Sequence, residues 1–296
     1  MYIQQIEDRK RDHLRHARDP AYQVKGASGL ASVRLVHEAL PELDFEQVSL
    51  GARAFGRDTP TPFYIAGMTA GHADAPRLNR VFAQACAGRG WALGVGSQRR
   101  ELDPSMTSDR WSDLRRDFPR LSLYANLGLS QLITAKTSQV VRLVEDMKAT
   151  ALAIHANVLQ EALQPEGTPR FKGALEALKR LSGEVGVPVI LKETGCGFSL
   201  RTLERLRDSG LAAVDVSGLG GTHWGRIEGA RAAEQGDTWQ ARAAEVFCNW
   251  GIPTVESVWN ARRAFEGTSI ETWASGGVRT GLDAMKLVAL GAHQVG

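Results

Sequence analysis

The sequence predicts an α/β protein folded as a (β/α)₈ barrel of the TIM type. Eight short, apolar, β-rich runs recur along the 296 residues, separated by segments with helical periodicity. No G-x-G-x-x-G motif stands near the start, where a doubly wound dinucleotide fold carries it, so the count of eight favours the barrel. The predicted strands are residues 62–67, 92–97, 122–126, 151–155, 188–192, 213–217, 271–275 and 293–296.

The remaining segments predict helices and an organisation into two parts. Helical periodicity covers residues 75–87 and 141–148, and a helix also fits residues 253–265, with a proline near its first turn. Residues 1–60 form an N-terminal extension that contributes to the substrate site, and residues 61–296 form the barrel. A complete barrel has a helix after its eighth strand, so the sequence predicts a barrel with an incomplete C-terminal end. The polar stretch 222–243 is expected to be a mobile lid.

Composition narrows the class of protein. With 43% hydrophobic and 23% charged residues the chain has enough apolar material for a globular core, and a net charge of +3 is too small to indicate nucleic-acid binding. Its three cysteines form an odd set without metal-ligand spacing, which indicates a reducing compartment. The sequence has no apolar run of membrane-spanning length and no hydrophobic signal core. We therefore expect a cytoplasmic protein that binds neither nucleic acid nor membrane.

The fourth predicted strand ends abruptly in polar residues. The small apolar residues 151–154 lead directly into His155, Asn157, Gln160 and Glu161. Parallel α/β folds place their chemistry at the carboxyl ends of strands. Burying four hydrogen-bonding groups there is costly unless a ligand binds them, although a capped turn would also account for the pattern. The sequence therefore favours a functional site in this segment.

Other strand ends predict a phosphate-bearing ligand with a flat ring. Gly276, Gly277 and Arg279 follow the seventh strand, where barrels commonly bind phosphate, and the glycine-rich segment 217–222 repeats this design after the sixth. Lys192 ends the fifth strand, where its charge calls for an anionic partner or an electron-rich cofactor ring. Small groups and amides end the first three strands, around Met68, Ser97 and Asn126. Together these features predict a mononucleotide cofactor, most simply FMN.

The same residues resemble the type 2 isopentenyl-diphosphate isomerases, which are FMN-dependent (β/α)₈ enzymes. The run 155–161 (HANVLQE) and the N-terminal Arg9–Lys10 pair are the discriminating motifs, whereas the glycine–arginine motif is shared by many FMN barrels. The matching segments cover nearly the whole chain in order: residues 9–10, 62–69, 94–99, 125–128, 155–161, 192–193, 216–224 and 275–281. The chain departs from the family at Ala70, Ala156 and His223, where Gly, a larger apolar residue and Ser are usual.

The resemblance implies a role for each candidate residue. FMN would be held by Met68, Thr69, Ser97, Asn126, Lys192, Ser217, Thr222, Gly277 and Arg279. The substrate diphosphate would be bound by Arg9, Lys10, Arg99, His155 and Asn157. Gln160 would be catalytic and contact the substrate, and Glu161 would bind Mg²⁺.

The implied reaction is the 1,3-proton shift that interconverts isopentenyl and dimethylallyl diphosphate. Reduced FMN would act as acid and base, with NADPH needed only to reduce it, and family members are commonly tetramers or octamers, so we expect a homo-oligomer. Two alternatives stay open. One is an FMN-dependent 2-hydroxy-acid oxidase or dehydrogenase, although the sequence after the sixth strand lacks the Ser-Asn-His-Gly base motif of that class. The other is a non-catalytic flavin binder.

Overall fold

Eight short strands lie side by side in one parallel sheet. Each strand has all or most of its residues within one of the predicted apolar runs. The computed structural model describes residues 2–24, 26–68, 73–103 and 111–296, with side chains from residue 8 onward. Within these residues a hairpin precedes the sheet and is made of β1 (Ala52–Ala54) and β2 (Arg57–Thr59). The parallel strands are β3 (Tyr64–Ile65), β4 (Ala92–Gly94), β5 (Leu123–Gly128), β6 (Ala151–Ala156), β7 (Val189–Glu193), β8 (Ala213–Asp215), β9 (Glu271–Ala274) and β10 (Gln294–Val295).

The sheet closes into a barrel. Each strand pairs with its neighbour in the chain, from β3 through to β10. The first and last strands then meet through a parallel bridge between Phe63 and Val295, where the Val295 amide donates to the Pro62 carbonyl at 2.6 Å. Closure removes the two exposed sheet edges, as a (β/α)₈ barrel requires. The predicted fold class is confirmed.

Helices cover the outside of the barrel, where the apolar faces of the strands need burial. The predicted helix 75–87 has the expected bounds, and the predicted helix 253–265 begins one residue later, with Pro253 as its N-cap. The helices of the described residues are α1 (Tyr2–Ala17), α2 (Ala75–Ala87), α3 (Trp111–Asp117), α4 (Leu129–Thr134), α5 (Thr137–Met147), α6 (Val158–Leu163), α7 (Ala174–Glu184), α8 (Leu200–Glu204), α9 (Trp224–Glu234), α10 (Thr238–Val246), α11 (Thr254–Ala264) and α12 (Gly281–Ala289).

Aromatic side chains fill the end of the barrel at which the strands begin. Trp273 is fully buried, and its ring centroid lies 5.0 Å from Tyr64 and 5.7 Å from Tyr124. Phe55, at the turn of the β1–β2 hairpin, packs on Trp273 at 5.1 Å. The hairpin therefore closes this end, and a ligand can approach only from the opposite end.

The stretch 222–243 is helical rather than an irregular loop. Most of it forms α9 and the first part of α10, two neighbouring helices that pack closely on each other. His223 precedes α9, and its Nδ1 accepts a hydrogen bond from the Arg226 amide at 3.2 Å. The histidine thus caps the helix, which is a role that serine also performs well. Whether this helix pair moves as a lid stays a prediction.

Candidate active site

The carboxyl ends of the strands open into a cavity of about 370 Å³, which lies within the range of small-molecule sites. Nearly all of the candidate residues line this one cavity. Thr69 and the neighbouring Ala70 lie outside the described residues. The candidates that line it are Arg9, Lys10, Met68, Ser97, Arg99, Asn126, His155, Asn157, Gln160, Glu161, Lys192, Ser217, Thr222, Gly277 and Arg279.

Strand register places three polar side chains in one row of the barrel wall. His155 on β6 is in register with Lys192 on β7, and Lys192 is in register with Asp215 on β8. Residues in register on adjacent strands point to the same side of a sheet, so the three side chains face the barrel interior together. The Lys192 Nζ donates to the Asp215 carboxylate at 2.9 Å and to the Ser275 hydroxyl at 3.3 Å.

Asp215 is the anionic partner that the charge of Lys192 requires. Its carboxylate is 1% exposed and also accepts hydrogen bonds from the hydroxyls of Ser275 at 2.7 Å and Tyr64 at 2.5 Å. Burial and the adjacent carboxylate raise the pKa of Tyr64, so its hydroxyl remains a donor. The sequence analysis did not single out Asp215. A carboxylate between two valines in an apolar strand was the signal that would have revealed it.

His155 is held as a neutral imidazole of defined tautomer. The Asn126 Nδ2 donates to the Val95 carbonyl at 2.9 Å, so its Oδ1 faces His155 Nδ1 at 2.7 Å and accepts the ring proton. Burial, together with the charges of Lys10, Lys192 and Arg9, lowers the pKa of His155 to about 3. His155 Nε2 is therefore unprotonated in the free protein, and a bound anion would favour its protonation.

The residues that follow β6 are ordered by a small network. Asn157 Nδ2 donates to Gln160 Oε1 and Glu161 Oε1, both at 3.1 Å, and the Thr168 amide donates to Glu161 Oε2 at 2.6 Å. The buried Asn157 Oδ1 has no partner in the described part of the chain. An orphaned buried acceptor is costly, so it indicates a ligand or an ordered water at this point.

A buried ionic cluster orients Gln160 and was not predicted. Gln160 Nε2 donates to Glu228 on α9 at 2.9 Å, and the fully buried Glu228 also accepts from His13 on α1 at 2.7 Å and from Arg231 at 2.6 Å. Burial alone would raise the pKa of Glu228, but these neighbours outweigh it and hold the pKa well below the usual range. Gln160 is thus fixed at both ends, because its Oε1 accepts from Asn157.

The N-terminal helix supplies cations to the cavity. Arg9 is largely buried, its pKa is lowered by that burial, and its Nε has no hydrogen-bond partner among the described residues. Arg9, Lys10 and His13 all line the cavity although they are remote in sequence from the barrel strands. A buried guanidinium with an unsatisfied donor matches an anionic ligand.

Glycines after β8 and β9 form a cradle too narrow for side chains. Gly276 and Gly277 have φ values of +105° and +77°, which L-residues rarely adopt. A Cβ on Gly221 would lie 2.8 Å from the Gly277 amide nitrogen, and one on Gly277 would lie 2.4 Å from the Gly220 carbonyl oxygen. Backbone amides and Arg279 therefore reach the cavity without obstruction, as a phosphate group requires. The residues present fit FMN.

Two further properties of the described residues concern clusters of metal ligands and long apolar helices. Among them, no group of three or more His, Cys, Asp or Glu side chains has the arrangement of a metal centre. None of their helices is both long and apolar enough to cross a bilayer. Glu161 is thus a single carboxylate at the cavity rather than part of an all-protein metal cage.

Comparison with known proteins identifies the family. The FMN-dependent dehydrogenase family matches residues 100–296. An isopentenyl-diphosphate delta-isomerase of Legionella pneumophila (strain Paris) is 51% identical over 292 residues, covering 99% of this chain and 84% of that protein. The chain belongs to the type 2 isopentenyl-diphosphate delta-isomerase family.

Other relatives carry the same name, and solved structures share the fold. An isopentenyl-diphosphate delta-isomerase of Bdellovibrio bacteriovorus is 48% identical, and the alignment covers 99% of this chain and 84% of that protein. One of Methanosarcina barkeri is 39% identical, and the alignment covers 96% of this chain and 77% of that protein. A mandelate oxidase variant solved with (S)-mandelic acid aligns with a TM-score of 0.61 at 20% identity, over 97% of this chain and 82% of that one. A lactate oxidase of Pediococcus acidilactici aligns with a TM-score of 0.62 at 13% identity, over 99% of this chain and 80% of that one. These two structures share the barrel fold with this isomerase-family chain.

Proposed function

We propose that this protein interconverts isopentenyl and dimethylallyl diphosphate by a 1,3-proton shift. FMN would be bound in the cavity at the carboxyl ends of the strands, which we call the main cavity. The observation that carries the proposal is the meeting of three groups in one cavity: cations from α1, the Asn157–Glu161 network, and the glycine cradle with Arg279. In this reaction a C–H bond forms at the terminal alkene carbon and another breaks two carbons away. The substrate and product are isomers, so the shift needs no net oxidant or reductant.

FMN would be held by the strand-end residues around the cradle. Ser97, Asn126, Lys192, Ser217, Thr222, Gly277 and Arg279 line the cavity, as does Met68. When bound and reduced by NADPH, FMN supplies a proton donor and acceptor and an electron-rich ring beside the substrate. The Lys192 Nζ is held by the Asp215 carboxylate at 2.9 Å, so this group faces the cavity at a fixed position.

The substrate diphosphate would be bound by Arg9, Lys10, Arg99, His155 and Asn157. Its negative charge reverses the balance that keeps His155 neutral, so Nε2 takes up a proton and donates to a phosphate oxygen while Nδ1 stays bonded to Asn126. Binding the diphosphate at these residues supplies remote binding energy that orients the reacting carbons.

Mg²⁺ would be bound by Glu161 together with the diphosphate. Magnesium usually binds through one or two carboxylates, substrate phosphates and water rather than in an all-protein cage. A single buried carboxylate beside cations and an orphaned Asn157 oxygen fits that pattern. The metal would thus be recruited with the substrate.

Gln160 is the residue we propose to position or relay the proton. Glu228 and Asn157 fix its carboxamide, so the orientation of the amide group toward the substrate is set before binding. A preoriented amide needs no reorganisation at the moment of proton transfer. Glu228 itself is charged and saturated with donors, which makes it a support for Gln160 rather than a proton source.

Incubation of the whole protein with FMN, NADPH, MgCl₂ and isopentenyl diphosphate tests the proposal. We expect dimethylallyl diphosphate to form without stoichiometric consumption of NADPH. Gln160→Asn and Glu161→Gln should each lower kcat by about 10²-fold or more, the usual contribution of a positioned proton-transfer group or of a metal ligand. Unchanged turnover in both variants contradicts the assigned roles. Flavin reduction that depends on a 2-hydroxy acid indicates an oxidase, and flavin binding without either reaction indicates a binder.

Assembly and location are further parts of the proposal. We expect a homo-oligomer, a tetramer or an octamer, located in the cytoplasm with no nucleic-acid or membrane partner. Residues 1–60 would act as an extension that completes the substrate site of the barrel at 61–296. Light scattering on the purified full chain measures the oligomeric state directly.

A further inference from the structure

A second cavity, of about 720 Å³, lies on the outer side of the barrel wall. It is bounded by α6, α7, α8 and the segment 247–252 that leads into α11. Its walls are largely aliphatic and aromatic, and this volume lies in the range of small-molecule sites. The apolar side chains that line it include Leu129, Leu159, Leu175, Leu178, Phe198 and Trp250.

The polar groups of this cavity are satisfied within the protein, with one exception. Glu193 Oε2 accepts four backbone N–H groups, those of residues 194–197, at 2.5–3.1 Å. Ser199 and Thr202 bond to each other at 3.0 Å. The guanidinium of Arg205, which follows α8, has no hydrogen-bond or ion-pair partner among the described residues. An apolar cavity with one unpaired cation is complementary to an amphiphile with one negative charge.

We propose that this cavity is a second binding site, for a small amphiphile with a linear apolar chain and a monoanionic head that pairs with Arg205. Acyl and prenyl carboxylates share this chemistry. The chain of the ligand would lie against Leu175, Leu178 and Phe198, and its head would remain at the exposed end of the cavity beside Arg205. The site is separate from the main cavity and does not depend on the isomerase activity.

Helix α6 and the 194–197 turn form a wall between the two cavities. Val158, Leu159 and Ala162 face the second cavity, whereas Gln160 and Glu161 face the main one. Across the turn, Thr194 and Gly195 line the main cavity while Cys196 and Gly197 line the second. Because the two cavities share this wall, we expect occupancy of one cavity to change the affinity of the other, and such a coupling is reciprocal.

Titration of the full chain with decanoate tests the site. Trp250 lines the cavity, so binding should change tryptophan fluorescence, and Trp250→Phe should remove most of that change; calorimetry gives the affinity independently. Arg205→Glu should weaken binding about 10-fold or more, since it replaces attraction by repulsion. Ala174→Trp and Thr202→Trp should abolish binding by filling the cavity. Arg201→Glu, on the same helix but outside the cavity, is the matched control and should bind as the wild type does.

Further ligands show which part of the amphiphile the second cavity recognises and whether the two cavities are coupled. Decanol, which lacks the charge, should bind the wild type more weakly than decanoate does, and its affinity should differ little between the wild type and Arg205→Glu. Geranic acid has the same number of carbons as decanoate, so the ratio of the two affinities distinguishes a prenyl from an acyl ligand. Saturating inorganic pyrophosphate with MgCl₂ should change the decanoate affinity by a fixed factor that reaches a plateau, and decanoate should change the pyrophosphate affinity by the same factor.

Four results would overturn the proposal. The first is no saturable binding of either acid to the folded wild-type protein. The second is equal affinity in the wild type and in folded Arg205→Glu and Thr202→Trp, verified by circular dichroism. The third is displacement by pyrophosphate that grows without a plateau, because that places decanoate in the main cavity. Light scattering that shows two copies joined across this face, and separated by Thr202→Trp, would also overturn it, since the occupant would then be a second chain.

Discussion

The imidazole of His155 is buried near several cations, and its pKa is therefore far below the usual value. It lies between the cations of α1 and Lys192, and Asn126 fixes its tautomer. The pKa of His155 in the folded protein is about 3, below the value of about 6.5 expected for an unfolded chain. The unfolded chain therefore takes up the proton first as the pH falls. The contribution to stability is complete above about pH 6.5 and is lost progressively toward pH 3.

We predict that His155→Gln makes the ligand-free protein less sensitive to acid. Between pH 7 and pH 5 the wild type should lose up to about 2 kcal/mol more of its free energy of unfolding than the variant, since each pKa unit corresponds to about 1.36 kcal/mol. Urea unfolding at the two pH values measures the difference. Equal losses in the two proteins would mean that the pKa of His155 is not lowered in the native state.

Gly277 is a second residue whose role follows from its geometry. It has φ of +77°, and a Cβ there would lie 2.4 Å from the Gly220 carbonyl oxygen. Gly267 has nearly the same φ, +74°, but no atom within 4 Å of the added Cβ. Substituting alanine at each position therefore distinguishes the effect of backbone strain, which both share, from the effect of crowding, which only Gly277 would show.

We predict that Gly277→Ala weakens FMN binding at least about 10-fold, because the backbone that approaches the phosphate must move. Gly267→Ala should cost about 1–2 kcal/mol of stability through its backbone strain alone and leave FMN binding unchanged. Quenching of FMN fluorescence measures the affinities. A similar loss in both variants would argue against the cradle as the phosphate site.

At the level of elements, the strands were predictable and the charged helix pair was not. Short apolar runs bounded by glycine and polar residues fix where buried parallel strands lie, and all eight predicted runs contain the observed strand or most of it. The buried residues of α9 are Gly225, Ile227, Glu228, Arg231 and Ala232, and two of these five are charged. A sequence does not reveal that such charges neutralise each other in the interior, so the stretch resembled a solvated loop.

Helix α1 is joined to α9 by hydrogen bonds and ion pairs, together with the edge-on contact of the His13 and Trp224 rings at 5.1 Å. Glu228 accepts from His13, Arg231 lies 3.5 Å from Asp12, and at the periphery Arg15 pairs with Glu234 at 2.5 Å. The cations that we assign to the diphosphate are thus carried by a helix whose attachment depends on Glu228. This dependence on a remote carboxylate was not visible in the N-terminal sequence.

We predict that Glu228→Ala destabilises the protein by about 3–5 kcal/mol, because it removes the partner shared by the buried Arg231 and His13 and leaves Arg231 with Glu166 at 2.9 Å. Hydrogen exchange in α1 should accelerate, while exchange in β5 and β6 stays unchanged at temperatures well below unfolding. Glu234→Gln on the same helix is the matched control and should leave α1 protected, because its ion pair is exposed. Full protection of α1 in Glu228→Ala would contradict this attachment.

For the whole molecule, the barrel has one end closed by aromatic packing and one end open to ligands. Closure depends on Trp273, which is fully buried and contacts Phe55 of the hairpin as well as Tyr64 and Tyr124. Sequence patterns predicted the barrel and located nearly all of the candidate residues that line its open end. The contacts that Asp215, Glu228 and Phe55 make with distant residues could not be predicted, although the sequence carried a signal for Asp215 itself, because pairings across the barrel depend on register and closure.

We predict that Trp273→Ala lowers the free energy of unfolding by about 3–5 kcal/mol through loss of buried surface and formation of a cavity. Trp239→Ala, at a side chain that is 76% exposed, should change stability little. Thermal and urea unfolding of the two variants measures the contrast. A small effect of Trp273→Ala would show that the hairpin and its aromatic contacts do not hold the closed end together.

The turn after β7 has an electrostatic consequence for the open end. Four consecutive amides of this turn, which would otherwise attract an anion, already point at a single oxygen of Glu193. The amides on this side of the rim are therefore not available to bind an anionic ligand. The guanidinium groups of Arg9 and Arg279 line the main cavity outside this turn. We therefore expect phosphate groups to bind near these two residues rather than at the turn.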